Sequence, residues 1–152
     1  MLTAALCAFC FFAGFITACV FAMGGRMSDI EDRERLHLRW VRGQPGGERA
    51  AFRADDLAGA DLTGTSLALA ILHGADLRGV NLSSSDASWA DFSGADLRGA
   101  NLAGANLVGA DFRDADLRGA SLTCADLHNA LLDGALLDGA DLSHATLDPR
   151  TP

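Results

Sequence analysis

Residues 90–109 read ADFSG ADLRG ANLAG ANLVG, four five-residue units in a single frame. The frame extends in both directions until it covers Ala50 to Pro149, twenty consecutive units. Its central position falls at residue 52 and at every fifth residue to 147. That position holds sixteen leucines, three phenylalanines (Phe52, Phe92, Phe112) and Ala87. Two residues earlier Ala occurs sixteen times, interrupted by Asp55, Thr65, Val80 and Ser85. A helix repeats every ~3.6 residues and a strand every ~2, so neither keeps a five-residue stripe on one face. A strict short period over this length means a solenoid.

The unit explains its own residues. If the chain turns by about 90° per unit, four units close one square coil, and neighbouring coils stack at the strand spacing of about 4.8 Å. The large central residue and the small Ala before it then point inward. Thirteen of the twenty positions just before the centre carry Asp or Asn, residues that suit turns and hydrogen-bond nearby backbone. Gly ends the unit eleven times, where a corner needs a permissive backbone.

These residues resemble the pentapeptide-repeat family, whose fold is a right-handed quadrilateral β-helix. The resemblance implies an all-β solenoid of about five coils and a non-enzymatic role. Some members of that family mimic duplex DNA and protect DNA gyrase or topoisomerase IV.

Outside the array, Leu2–Met23 is a run of 22 residues without charge. About 20 apolar residues span a bilayer as a helix, so a transmembrane anchor over 1–24 is expected. No Arg or Lys precedes the run, and it exceeds the apolar core of an ordinary signal peptide. Ile16-Thr17-Ala18-Cys19 leaves open a lipidated Cys19, and a cleaved leader is the third reading. Arg26, Arg33, Arg35, Arg39 and Arg42 follow the run. Positive flanks stay in the cytoplasm, which predicts a single-pass membrane protein with a cytoplasmic repeat domain. Between anchor and array, residues 25–49 form a juxtamembrane segment. Ser28 with Glu31 matches a capping box and opens a short amphipathic helix to Val41, which lies on the membrane, caps the first coil, or is simply a solvated juxtamembrane helix. Gly43–Gly47 reads as a hinge, and residues 150–152 are a tail.

Charge divides unevenly. Residues 50–152 carry fifteen Asp against six Arg, a net of −9, and residues 1–49 carry six Arg against five acids, a net of +1. All twelve basic residues are Arg, which with abundant Ala, Gly and Leu suggests a GC-rich, bacterial type of genome. Cys7 and Cys10 fall inside the apolar run with no further ligands nearby, and Cys124 takes a corner position. Neither these cysteines nor the scattered His37, His73, His128 and His144 form a catalytic or metal-binding motif. No catalytic residue, cofactor or metal is expected.

Candidate binding residues emerge from columns of every twentieth residue. One side stacks Asp56, Asp76, Asp96 and Asp116 beside Arg78, Arg98 and Arg118, with Gly59 to Gly139 at its corner. Mutual neutralisation and a patterned docking face are both compatible with that arrangement. Leu69 and Trp89 share a corner column, and Ile71 begins the adjoining side, where polar residues would be ordinary. They form either an exposed patch or, for Trp89, a filler for the small Ser85/Ala87 pair. Leu131 and Leu136 replace Asp on the last coil and make it a candidate self-association surface.

The favoured reading is a membrane-tethered, non-catalytic scaffold with an unknown protein partner and no direct nucleic-acid binding. The alternative is a DNA mimic that protects a type II topoisomerase such as gyrase. A five-coil rod is roughly 24 Å long at strand spacing, a length over which duplex DNA carries about 14 charges. The array offers −9, interrupted by arginines.

Overall fold

Each described unit from 57 to 144 ends in the same turn. The N–H of the residue that opens one unit donates to the central carbonyl of the unit before it, as in Ala95 to Phe92 at 3.0 Å. The corner residue between them has φ of +56 to +74° at all eighteen positions from Gly59 to His144, eleven Gly and seven others. Positive φ at the third residue only is the signature of a type II turn. The computed structural model describes residues 35–52 and 57–148.

Four such turns return the chain to its starting side, and coils are joined by parallel bridges twenty residues apart, from Ala51–Ile71 to Asp126–Thr146. The result is a β-solenoid of close to five square coils. In the unit 95–99, Asp96 N–H bonds back to Ala75 O at 3.0 Å. Leu97 and Gly99 N–H bond forward to Asp116 O and Arg118 O at 2.8 and 3.0 Å. With the turn bond, four of the five donors are paired. The fifth, Arg98 N–H, goes to Asp96 Oδ1 at 3.3 Å. Equivalent bonds form at all twelve described Asp or Asn residues in this position, for example Thr63 to Asp61 and Ala103 to Asn101. The acid is therefore a backbone cap that completes donor satisfaction, which buried and half-buried amides require.

The core is the inward pair of each side. Leu97, Leu102, Leu107, Leu117 and Leu122 are fully buried, with Ala95 to Ala125 between them. Phe92 and Phe112 lie on successive coils with parallel rings 4.9 Å apart. Ala87 and Ser85 are buried, and Ser85 Oγ donates to Leu82 O at 2.7 Å. Trp89 does not turn in beside them. Its corner φ of +57° aims the side chain outward, and it is 57% exposed.

At the N-terminal end, helix α1 (35–41) lies on the first coil. Residues 43–49 are no loose hinge. Gln44 N–H bonds Arg39 O at 2.8 Å and Glu48 N–H bonds Leu36 O at 3.0 Å, which folds the segment back on α1. Gly47 is pressed so closely on the Trp40 backbone that a Cβ would collide with it. The start of the expected helix at Ser28, the apolar run 2–23, Asp56 and the tail 150–152 lie outside the described residues. Among the described residues no helix is long and apolar enough to cross a membrane.

The buried His37 ring holds this cap to the coil. Its Nδ1 accepts from Ala50 N–H at 3.1 Å, so the proton sits on Nε2, which makes no hydrogen bond of normal geometry. Burial, and then the Arg49 charge, push its pKa below the ordinary 6.5, against the opposing pull of the Ala68 carbonyl. Protonated Nδ1 would face Ala50 N–H donor to donor. A lowered folded pKa means the contribution is complete above pH 6.5 and is lost as pH falls from there through the lowered folded-state value. Melting temperature should accordingly drop as pH falls below 6.5. In His37→Asn, which keeps an acceptor and cannot titrate, this step should be absent.

Candidate functional site

The Asp/Arg columns form a ladder on one flat side. Arg98 Nε and Nη2 reach Asp96 Oδ1 and Oδ2 at 2.8 and 2.6 Å, a bidentate pair. Arg78 clasps Asp76 at 2.7 and 2.5 Å, and Arg118 clasps Asp116 at 2.9 and 2.6 Å. Each rung leans toward the next: Arg78 Nε lies 3.9 Å from Asp96, and Arg98 Nε 3.7 Å from Asp116. Hydrogen bonds from the arginines, above all, hold Asp76, Asp96 and Asp116 below the usual carboxylate range. The ladder is thus fully ionised at physiological pH and internally neutral. The three guanidinium groups remain about half exposed.

The same spacing recurs on the adjoining side, where Arg113 clasps Asp111 at 2.9 and 2.6 Å. That pair follows the two-residue rule of the ladder and was open to the same reading, but it stands alone in its column. Side-chain ladders also run along the axis, with Asn101 Nδ2 donating to Asn81 Oδ1 at 3.1 Å and Asn106 Nδ2 to Asp86 Oδ1 at 3.0 Å.

A second surface lies at the corner opposite the Gly59–Gly139 line. Leu69 N–H bonds Ser88 O and Trp89 N–H bonds Val108 O, both at 2.8 Å, so the two side chains ride on successive coils. The Trp89 indole rests on Gly109, where a Cβ would come within 2.5 Å of the ring. Ile71, half-buried, lies just around the corner. Periodicity alone missed the start of this column. Arg49 stands twenty residues before Leu69, donates from Nε to its carbonyl, and places its guanidinium 6.0 Å from the Trp40 ring centre. Extending the grid one residue upstream of Ala50 would have found it.

Leu69 and Trp89 hold left-handed φ values of +65° and +57°. For bulky residues that conformation costs about 1–2 kcal/mol, and nothing in the core compensates, since both side chains point out. Leu69→Gly and Trp89→Gly should therefore leave thermal stability unchanged or raise it by up to about 1 kcal/mol. A clear fall in melting temperature would restore a structural role for Trp89.

Elsewhere the polar groups serve the coil. His128 Nδ1 and Thr146 Oγ1 both bond Asp126, at 2.7 and 2.8 Å, and the Asp126 hydrogen bond raises the His128 pKa. His73 Nδ1 meets Ser93 Oγ at 2.8 Å. Cys124 is a free, exposed thiol at a corner, with φ +59°. Leu131 and Leu136 are exposed on the last coil, bridged to Asp111 and Asp116 below them.

Comparison with known proteins places this geometry. The model of the family described as pentapeptide repeats matches residues 48–86, 88–123 and 120–148, with eight copies. Among solved structures, a pentapeptide repeat protein from the Arabidopsis thaliana thylakoid lumen is similar at 34% identity and a TM-score of 0.60. The match covers 62% of this chain and 66% of that one, just under two thirds of its length. Rfr23, a pentapeptide repeat protein from the cyanobacterium Cyanothece 51142, matches at 35% identity and TM-score 0.48, over 70% and 68% of the two chains. QnrB1, a plasmid-mediated fluoroquinolone resistance protein, matches at 26% identity and TM-score 0.38, over 62% and 61%. A search of curated protein sequences finds no match. The family model, spanning well over half of the chain and agreeing with the five-residue coil, shows that this protein belongs to the non-catalytic pentapeptide-repeat family.

Proposed function

We propose that this chain is a membrane-tethered, non-catalytic β-solenoid that presents the ladder Asp76/Arg78, Asp96/Arg98, Asp116/Arg118 to a protein partner. The carrying observation is the bidentate clamp that fixes each half-exposed arginine to its own Asp. Guanidinium groups held this way offer a rigid, evenly spaced charged surface, so a partner binds without first ordering long side chains. The tether rests on the uncharged run Leu2–Met23, and the arginines that follow it support a cytoplasmic array. The net charge of −9 over residues 50–152 argues against direct binding of nucleic acid. The exposed Leu131 and Leu136 support self-association through the last coil.

Capture of partners from solubilised membranes tests the ladder. Changing Arg78, Arg98 and Arg118 together to Gln should reduce capture strongly and lower stability by no more than about 0.6–3 kcal/mol in all, because exposed pairs contribute only about 0.2–1 kcal/mol each. Capture by the wild type should weaken with salt, which screens exposed charges beyond about 8–10 Å. Undiminished capture by the triple variant would remove the ladder from the account.

The second reading, a DNA mimic acting on a type II topoisomerase, is favoured by the acidic array. The internal neutralisation of its most regular column counts against it. Protection of gyrase from a poison in vitro by the wild type would put that reading first.

A further inference from the structure

The ladder leaves one surface unused: the corner that runs from Trp40 through Arg49 and Leu69 to Trp89. We propose that this corner lies on an anionic lipid bilayer, an inference that rests on the tether reading above. Trp40, Leu69 and Trp89 are 38%, 39% and 57% exposed. Arg49 sits between them, over Trp40 and bonded to the Leu69 carbonyl. Tryptophan beside arginine is the composition of a membrane interface, where the ring sits among headgroups and the cation meets lipid phosphate.

Three observations select a bilayer as the occupant. Charge is complementary at this end of the rod. Residues 35–52 carry four Arg against Glu48, a net of +3, whereas residues 57–148 carry thirteen Asp against four Arg, a net of −9. Beside Leu69 the acids also withdraw: the two cap positions that flank it hold Ser66 and Ile71, whereas Asp86 and Asp91 flank Trp89 one coil higher. Finally, the reach suffices. The apolar run ends at Met23, twelve residues before Arg35, and twelve residues extend at most about 40 Å, more than the roughly 24 Å length of the rod.

Backbone conformation adds an independent reason. Leu69 and Trp89 are the two large apolar side chains held at positive φ, in a position filled elsewhere by Gly or small and polar residues. Strain of this kind marks function when the core does not require it. The orientation is also coherent with the ladder. The corner is diagonally opposite the Gly59–Gly139 line that borders the Asp/Arg side, so resting it on lipid turns the ladder toward water.

The test uses the full-length protein in nanodiscs of phosphatidylcholine, with or without phosphatidylglycerol, brominated near the headgroup. The chain has two tryptophans, Trp40 and Trp89, so the difference between wild type and Trp89→Phe isolates the emission of Trp89. In anionic discs that emission should move to shorter wavelength and be quenched by the brominated lipid. Both effects should be lost at high salt and in Arg49→Glu, with Leu69→Ser as a second variant that spares the charge. Trp89 emission unchanged from detergent micelles, in protein that still enters the discs, overturns the lipid contact and leaves the tether standing. Failure to enter either kind of disc overturns the tether and this inference with it. Shielding of Trp89 that requires native membrane proteins, and is absent in pure lipid, replaces the bilayer with a protein partner.

Discussion

Leu97→Asp should abolish the cooperative melt and the β circular dichroism of the array. Leu97 is fully buried on the ladder side, between Leu77 and Leu117 in its column. Its replacement loses the burial of a large apolar side chain and leaves either an unpaired charge or an unpartnered acid in the core. The sum exceeds about 5 kcal/mol, comparable with the whole stability of a typical domain at about 5–15 kcal/mol. Arg98→Gln, one residue away and pointing outward, should melt within about 1 kcal/mol of wild type. A native melt for Leu97→Asp would mean that the inward register is wrong.

Phe92→Ala carries the second largest effect. Phe92 has no exposure, and its ring stacks on Phe112 at 4.9 Å with 2° between the planes. Truncating a buried Phe costs about 3–5 kcal/mol, and the lost ring pair is worth about 0.5–1.5 kcal/mol within that range. Coils contact only their neighbours, so the damage is local in origin but divides the stack near its middle. Urea unfolding should show a lower midpoint, and a second transition would appear if the two halves separate. Phe92→Leu, which restores the commonest core residue of the array, should recover most of the loss. A variant Phe92→Ala that unfolds at the wild-type midpoint would place this ring outside the core.

Much of this was legible in the sequence because the repeat is its own alignment. A central Leu every five residues, with Ala two before it, names the inward face without any structural knowledge, and the buried set from Leu57 to Leu132 follows that grid. The pairing of Arg98 with Asp96 could also be read, since residues two apart flank the same centre. What stayed hidden was anything that departs from period five. The direction of Trp89 depends on positive φ at its corner, which sends the ring onto Gly109 instead of toward Ala87. The sequence offered a cap only as one placement of the short helix, because what fixes it there is one buried imidazole accepting from Ala50 and Gly47 packed against Trp40. Neither contact has a sequence period. The abundance of Asp, which suggests an acidic interaction surface, turns out first to satisfy the one backbone donor per unit that the coil leaves over.

The claim that the ladder side meets a protein is tested most directly by a photo-crosslinking residue at position 98 of the full-length protein, compared with one at position 69, in native membranes. The account predicts a discrete protein adduct from position 98 that weakens with salt and with Arg78→Gln and Arg118→Gln, and lipid adducts from position 69. Protein adducts from position 69 with none from position 98 would contradict it.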